Sequence, residues 1–554
     1  MLTRQAMWDR LGTAVDLVVI GGGITGTGIA RDAVRRGLSV ALVEQRDFAF
    51  GTSSRSSKLV HGGLRYLEQY EFSLVFEAVS ERRVLMDIAP HLVNPLGFLF
   101  PVYENSRKPL WMVNAGMWVY EGLSLFRSPK RHRTLKSKEE VKGEEPSLSV
   151  DGMTGAPLYY DCSTDDARLT LENAIDAARQ GAAVVTYASA VSFVKQEGRI
   201  SGVVVQDTRT GALKSVTASA VINATGPWAD RTLSMSGGGK RLLRPTKGVH
   251  IVVPHARVPV NHAIVLLHPD DGRVLFAIPW GEHTYLGTTD TDFEGDPAEV
   301  AATRSDVDYL LAAARRYFPD HPVGHDDVIS TWAGLRPLIA PSGDGVSESS
   351  VSREHQIVVG EDGLVTIAGG KLTTYRRMAA EVVDTAVQLM RLTTPTLPKL
   401  VPSQTEHEPL PGAVGWPADD DHDRVAAQVV EASAGHLSLP TAQLLARTYG
   451  MRAMELAKRV AADPTLAAPL VPGRPEVLVQ VDWAADEEMA CAVADVFVRR
   501  TQLYYRAADQ GLSALPLVAA RLGARLGWTE AQVAAEIEAY QAEVALSRAW
   551  RADG

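Results

Sequence analysis

The segment "VVIGGGITGTG" at residues 18–28 restricts this chain more than any other. Gly21, Gly23 and Gly26 stand in G-x-G-x-x-G spacing, after the apolar run "DLVVI" and before a helical pattern. A second apolar run, "SVALVE", ends on Glu44, 23 residues beyond Gly21. Strand, glycine turn, helix and strand closed by a carboxylate form the opening unit of a doubly wound sheet. The missing side chains let the backbone approach a pyrophosphate. The helix N-terminus offers free N–H groups and about half a positive charge. Glu44 can accept hydrogen bonds from a ribose diol. The pattern alone does not separate a nicotinamide from a flavin dinucleotide.

Two later segments favour FAD. "AVINATGPWAD" ends a strand on the small residues Ala224, Thr225 and Gly226. "IAGGKLTTY" brings Gly369, Gly370 and Lys371 to the end of another strand. A helix N-terminus and a lysine there would stabilise the negative charge of a reduced flavin. Between the two glycine-rich regions lies "GTSSRSSKLVHGGLRYLE", residues 51–68, with Thr52, Ser53, Ser54, Ser56 and Ser57 close together. Hydroxyls and backbone amides can serve phosphate oxygens without a buried cation.

Composition narrows the remaining classes. A net charge of -10 does not favour nucleic acid. Cys162 and Cys491 are the only cysteines, far apart and without metal-ligand spacing, which suits a reducing compartment and predicts no metal site. The first residues, "MLTRQAMWDRLG", lack the apolar core of a secretion signal. No segment reaches the ~20 apolar residues of a membrane span. The aromatic-rich segments 92–103 and 109–126, followed by the basic run "RSPKRHRTLKSK" at 127–138, predict attachment to an anionic membrane surface. Closely spaced strand-like runs between 249 and 339 predict a mostly antiparallel sheet. Five prolines in 391–412 give linker composition, and the Ala-rich remainder reads as helical. Its last helix is announced by Thr529 and Gln532 in capping-box spacing, with Val533, Ile537, Tyr540 and Val544 on one face.

Taken together, "GGGITGTGIARDAVRRGLSVALVEQRDFAFGTSSRSSKLVHGGLRYLE", "NATGPW", "GLRPL" and "GGKLTTYR" resemble the FAD-dependent glycerol-3-phosphate dehydrogenases of the aerobic, quinone-linked type. The likeness is close over about residues 15–380 and looser in the tail, through "PLPGA" and "VFVRRTQL". It implies an α/β FAD-binding doubly wound (Rossmann-like) domain with an interleaved, mostly antiparallel substrate-domain sheet, plus an all-α C-terminal domain. The expected boundaries are 1–390 for the first body, with the cap at 70–160 and 245–340, a linker at 391–412 and the helical domain at 413–554. The resemblance directs Thr52, Ser53, Ser54, Ser56, Ser57, Gly370, Leu372 and Thr373 to the FAD. It directs Arg65, Arg336, Arg353 and Lys371 to a substrate phosphate and the flavin edge, where arginine forks match phosphate oxygens.

The implied reaction oxidises the secondary alcohol of glycerol 3-phosphate to dihydroxyacetone phosphate, with electrons passed to a quinone. His61, Arg336 and Lys371 are expected at the reacting centre. His61 can accept a proton near pH 7, and it can equally orient the flavin through a hydrogen bond. The resemblance further implies a homodimer, and a place in the cytoplasm or on the cytoplasmic face of the inner membrane. The rival readings are a glycerol-3-phosphate oxidase using oxygen, an amino-acid oxidase of the same fold, and a flavin sensor without turnover.

Overall fold

The computed structural model describes residues 2–125, 128–238, 241–340, 355–393 and 400–552. The strand Ala14–Ile20 lies at the centre of the first sheet, parallel to Val40–Val43 on one side and to Leu213–Asn223 on the other. Leu17, Val18 and Val19 are fully buried, since helices cover both faces of such a sheet and each strand must be apolar throughout. Ala183–Val185 continues the parallel order beyond Val40–Val43, and Val365–Gly369 does so beyond Leu213–Asn223. The hairpin Ala188–Gln196 and Arg199–Asp207 adds antiparallel strands at Leu213–Asn223. The helices Ile24–Arg35, Asp166–Arg179 and Tyr375–Thr393 pack together on this sheet.

Among the described residues the second sheet has eleven strands, taken from 59–163 and 243–339, and is antiparallel except where Ala263–Leu267 meets Asn94–Leu99. Leu243–Pro254 pairs with Ser330–Ile339 over ten residues, setting Thr246 opposite Arg336 and His250 opposite Trp332. The apolar segment 92–103 belongs to this sheet. Phe98 and Leu99 are buried in its core, so its hydrophobicity reflects packing and not a membrane face.

The proline-rich stretch is docked from Leu400 onward. Arg31 donates to the Glu408 carbonyl at 2.6 Å, Ser403 holds Asp32, and Leu410 is buried. The helices that follow include His422–Ala432, Leu439–Tyr449, Ala453–Ala462, Val479–Glu487, Leu515–Leu526 and Glu530–Arg548. The capping box at Thr529 and Gln532 is formed, and Tyr540 and Val544 are buried.

Buried charge ties these helices to the nucleotide-binding body. Arg452 reaches Glu172 at 2.7 Å, and Arg168 reaches Glu488 at 2.5 Å. Asp47, three residues beyond Glu44, receives Arg500 through two bonds of 2.8 and 2.9 Å, and Arg499 as well. Burial alone would raise the Asp47 pKa, but Arg500 and Arg499 outweigh it and hold it below the usual carboxylate range. Asp47→Asn removes the buried carboxylate that Arg499 and Arg500 share, leaving them only Asp495 and Glu488. Such a loss costs about 3–5 kcal/mol, and the expected result is a lower urea midpoint together with proteolytic release of the C-terminal helices.

Candidate functional site

The glycine turn is shaped by contacts that no side chain would survive. Gly21 has φ +111°, and a Cβ there would stand 2.5 Å from the Ala224 carbonyl oxygen. A Cβ on Gly26 would stand 1.9 Å from the Gly21 carbonyl oxygen, so this glycine lets the helix close onto the turn. Gly23 caps the helix Ile24–Arg35 without a side chain, leaving its first turn open to a ligand. Glu44 Oε2 accepts from Gly22 N at 2.7 Å and Oε1 from Arg46 N at 2.8 Å. Burial pushes the Glu44 carboxyl up, and the two amides oppose that shift. The carboxylate is thereby fixed at the end of its strand, facing the cleft.

Most of the anticipated cofactor residues wall this one cleft. Gly21, Gly23, Glu44, Thr52 and Ser53 line one side. Ala224, Thr225 and Gly226 line another, and Gly370, Lys371 and Leu372 close it. Three others do not line it. Gly26 lies beneath the turn as a packing residue. Ser57 turns away, placing Oγ 2.9 Å from His250 Nε2. Thr373 is buried, where its hydroxyl oxygen accepts from His61 N at 3.2 Å.

The hydroxyl-rich segment serves the protein as much as the cleft. Ser53 Oγ accepts from Ile24 N at 2.9 Å, and Thr52 donates to the Leu335 carbonyl at 2.6 Å. Ser56 donates to Asp166 at 2.7 Å, and Lys58 pairs with the same carboxylate at 2.6 Å. Trp332 Nε1 donates to the Ser56 carbonyl at 3.1 Å. The side chain of Ser54 is buried outside the cleft. The segment thus joins the two sheets.

Beyond the cleft, Arg336 is oriented by Asp290 Oδ1 at 2.9 Å, Thr288 Oγ1 at 3.1 Å and the Thr289 carbonyl at 3.2 Å. Its guanidinium lies over Gly248, where a Cβ would come within 2.7 Å of Nη2. Two residues along the same strand face stands His250, stacked on Trp332 at 4.7 Å. His250 is buried, and Nδ1 has no partner among the described residues. Burial first, then Arg336 and Lys58, hold its imidazole well below the ordinary value. Pro337, beside Arg336, lines the cleft. Lys371 Nζ sits 3.7 Å from the centre of the Tyr66 ring. His61 lies at the Lys371 end, tied to Thr373. Arg353 and the side chain of Arg65 lie outside the described residues.

Residues 16–376 match the FAD dependent oxidoreductase family, and residues 403–533 match the C-terminal domain of alpha-glycerophosphate oxidase. The chain is 41% identical over 546 residues to "Glycerol-3-phosphate dehydrogenase 2" of Mycobacterium tuberculosis, covering 98% of this chain and 90% of that protein. It belongs to the FAD-dependent glycerol-3-phosphate dehydrogenase family. "Aerobic glycerol-3-phosphate dehydrogenase" of Bacillus subtilis is 39% identical over 500 residues, 90% of this chain and 88% of that one. The solved glycerol-3-phosphate dehydrogenase of Bacillus halodurans, complexed with FAD, superposes with a TM-score of 0.80 at 31% identity, covering 99% and 98% of the two chains.

FAD is the cofactor of this family member, and the cleft fits it. A helix N-terminus that begins on a glycine, with Ser53 taking only the Ile24 amide, meets the pyrophosphate requirement, and Glu44 suits the ribose requirement. Sequence reasoning missed Trp228 and Arg231, which line the cleft, and Tyr66, which lies under Lys371. It also missed His250 and Asp290. Trp228 was within reach, as part of "NATGPW". His250 carried no local signal, because it reaches Arg336 only through strand register. Gly26→Ala would drive a methyl into the turn, at about 1–3 kcal/mol or more. The expected result is FAD affinity lower by roughly ten- to a hundredfold, measured as flavin absorbance per purified protein.

Proposed function

We propose that this chain oxidises sn-glycerol 3-phosphate to dihydroxyacetone phosphate and hands the electrons to a quinone at a membrane surface. The observation that carries the reading is Arg336, fixed by Asp290 and Thr288 beside the wall of the dinucleotide cleft. A phosphomonoester is nearly a dianion at neutral pH, and a pre-oriented guanidinium meets it without reorganisation. Names of relatives matching nearly the whole chain give the same substrate. Bound FAD supplies an acceptor for the hydride of carbon 2.

The chain's own residues do the rest. Arg336 and Lys371 hold the phosphate and offset negative charge at the cleft end, with Arg65 and Arg353 added to that cradle. Two imidazoles stand ready for the hydroxyl proton. His61 is placed by Thr373 at the Lys371 end, and His250 is placed by Ser57 and Trp332 beside Arg336. We take His250 as the base, because it shares a strand face with Gly248, over which the Arg336 guanidinium lies, and feels that charge.

Attachment to the membrane rests on one exposed aromatic face. No helix among the described residues is long and apolar enough to cross a membrane. The helix Leu110–Leu123 exposes Trp111, Met112, Trp118 and Val119, seven-residue pairs on one side. The helix Phe72–Ile88, packed beside it, exposes Phe72 and Phe76. Lys130, Arg131, Lys136 and Lys138 are exposed just after. Apolar rings flanked by cations suit an anionic bilayer surface.

Glycerol 3-phosphate added without air should bleach the flavin colour and a quinone-analogue dye should restore it, while turnover in air should release little peroxide. Persistent colour sinks the activity, and stoichiometric peroxide sinks the quinone. Arg336→Gln should lower kcat/KM about 10- to 100-fold, and His250→Asn should lower kcat about 10²–10⁴-fold. A base works only while neutral, and the His250 pKa is depressed. Activity should therefore persist below pH 6.5 and fall only as pH drops through the shifted value. An acid limb unchanged in position in His250→Asn returns the role to His61.

Liposomes provide a separate check on the membrane reading. The protein should float with anionic vesicles at low salt, and Trp111→Glu with Trp118→Glu should leave it at the bottom of the gradient. Equal flotation of the two proteins removes this face from the account.

A further inference from the structure

A second cavity, of about 400 Å³, lies at the junction of three bodies: the loop after Glu44, the strand Ser330–Ile339 and the helices Leu503–Arg506 and Glu530–Arg548. Its volume is in the range of small-molecule sites. Phe50 lines both this cavity and the cofactor cleft. Three guanidiniums gather on the Phe50 ring, Arg46 at 4.6 Å, Arg55 at 5.3 Å and Arg499 at 5.9 Å. Arg499 is buried and neutralised from behind by Asp47 and Asp495. Arg46 and Arg55 have no carboxylate within ion-pair distance among the described residues. Arg209, also in the lining, is matched by Glu536 at 2.9 Å. The remaining carboxylate of the lining, Glu543, lies close enough to act on the charge of Arg499. Tyr504, Tyr505 and Tyr187 supply the apolar wall.

We propose that this cavity is a second anion site, taking a small phosphate- or carboxylate-bearing metabolite whose oxyanion lies between Arg46 and Arg55. Two guanidinium forks set against an aromatic ring, with no carboxylate paired to them among the described residues, are the arrangement that binds a planar or tetrahedral oxyanion. Glu543 faces the same space and can accept from a hydroxyl of the ligand. The site is placed to influence the reaction from outside it. Phe50 is tilted against Trp228 of the cofactor cleft at 6.3 Å, and Ala333 in the cavity wall precedes Arg336 by three residues on one strand.

Equilibrium dialysis of the FAD-loaded protein with inorganic phosphate tests the proposal without relying on turnover. The wild type should bind two equivalents. Arg336→Gln should lose one and keep the other, and Arg46→Gln combined with Arg55→Gln should lose the one that Arg336→Gln keeps. Arg46→Gln alone alters an exposed side chain and should weaken that equivalent about tenfold. Loss of all binding in Arg336→Gln, or two unchanged equivalents in the double variant, overturns the second site. Two equivalents surviving Arg336→Gln would instead count against the substrate reading. Phosphate retained by Arg336→Gln supports the site; its displacement by malonate extends the class to carboxylates, and no displacement restricts it to phosphate esters.

Discussion

The architecture depends on a single carboxylate beneath a loop. Asp166 opens a helix of the nucleotide-binding body and accepts from both Ser56 and Lys58. Those two bonds hold residues 51–58 in a narrow path, with the nucleotide cleft on one side and the antiparallel sheet on the other. Thr52 and Ser56 then engage the strand that carries Arg336, through Leu335 and Trp332. Gly334 has room for the Arg55 carbonyl only because it lacks a side chain, whose Cβ would stand 2.4 Å from that oxygen. The relation between the cofactor cleft and the Arg336 guanidinium is thus set by one clamped segment. Side-chain flexibility has little part in it.

The helical tail is held by the same logic of buried charge. Asp47 follows the cleft-lining Glu44 on the same loop, and its two arginine partners sit in a π-helical turn, Asp495–Arg500, of the tail. Arg168 and Glu172 on the Asp166 helix reach Glu488 and Arg452 of the tail. Buried pairs of this kind add little net stability, but removing one partner is costly, so they select a single docking geometry. The tail therefore braces the walls of the cofactor cleft from behind.

What the amino-acid order reveals here follows the range of each interaction. The glycine turn, Glu44 and the capping box at Thr529 depend on neighbours within a few tens of residues, and their spacing is legible directly. The antiparallel sheet is legible as a set of runs, because alternation and turn residues are local. The functions within residues 52–57 are not, because five similar hydroxyls point in different directions once the segment is clamped. Ser53 and Thr52 face the cleft, whereas Ser57 serves His250. His250 itself is visible only after Leu243–Pro254 has found Ser330–Ile339, since Arg336 is 86 residues away in sequence. The docking of the tail is not legible, because linker composition does not show which arginines will be buried against another body.

The exposed aromatic helix has an inner face as well as an outer one. Tyr120, on the helix that presents Trp111 and Trp118, is buried and donates to Asp161 at 2.8 Å. Its hydroxyl oxygen also accepts from Gly62 N at 2.9 Å, immediately beside His61. Gly62 has no space for a side chain, since a Cβ would lie 2.2 Å from that hydroxyl. Asp161 in turn is paired with Arg82 on the neighbouring helix, the one that exposes Phe72 and Phe76. Both aromatic helices are therefore bonded, through one buried carboxylate, to the loop at the Lys371 end of the site. A surface that took hold of these rings would therefore bear on the two helices bonded to Gly62, beside His61.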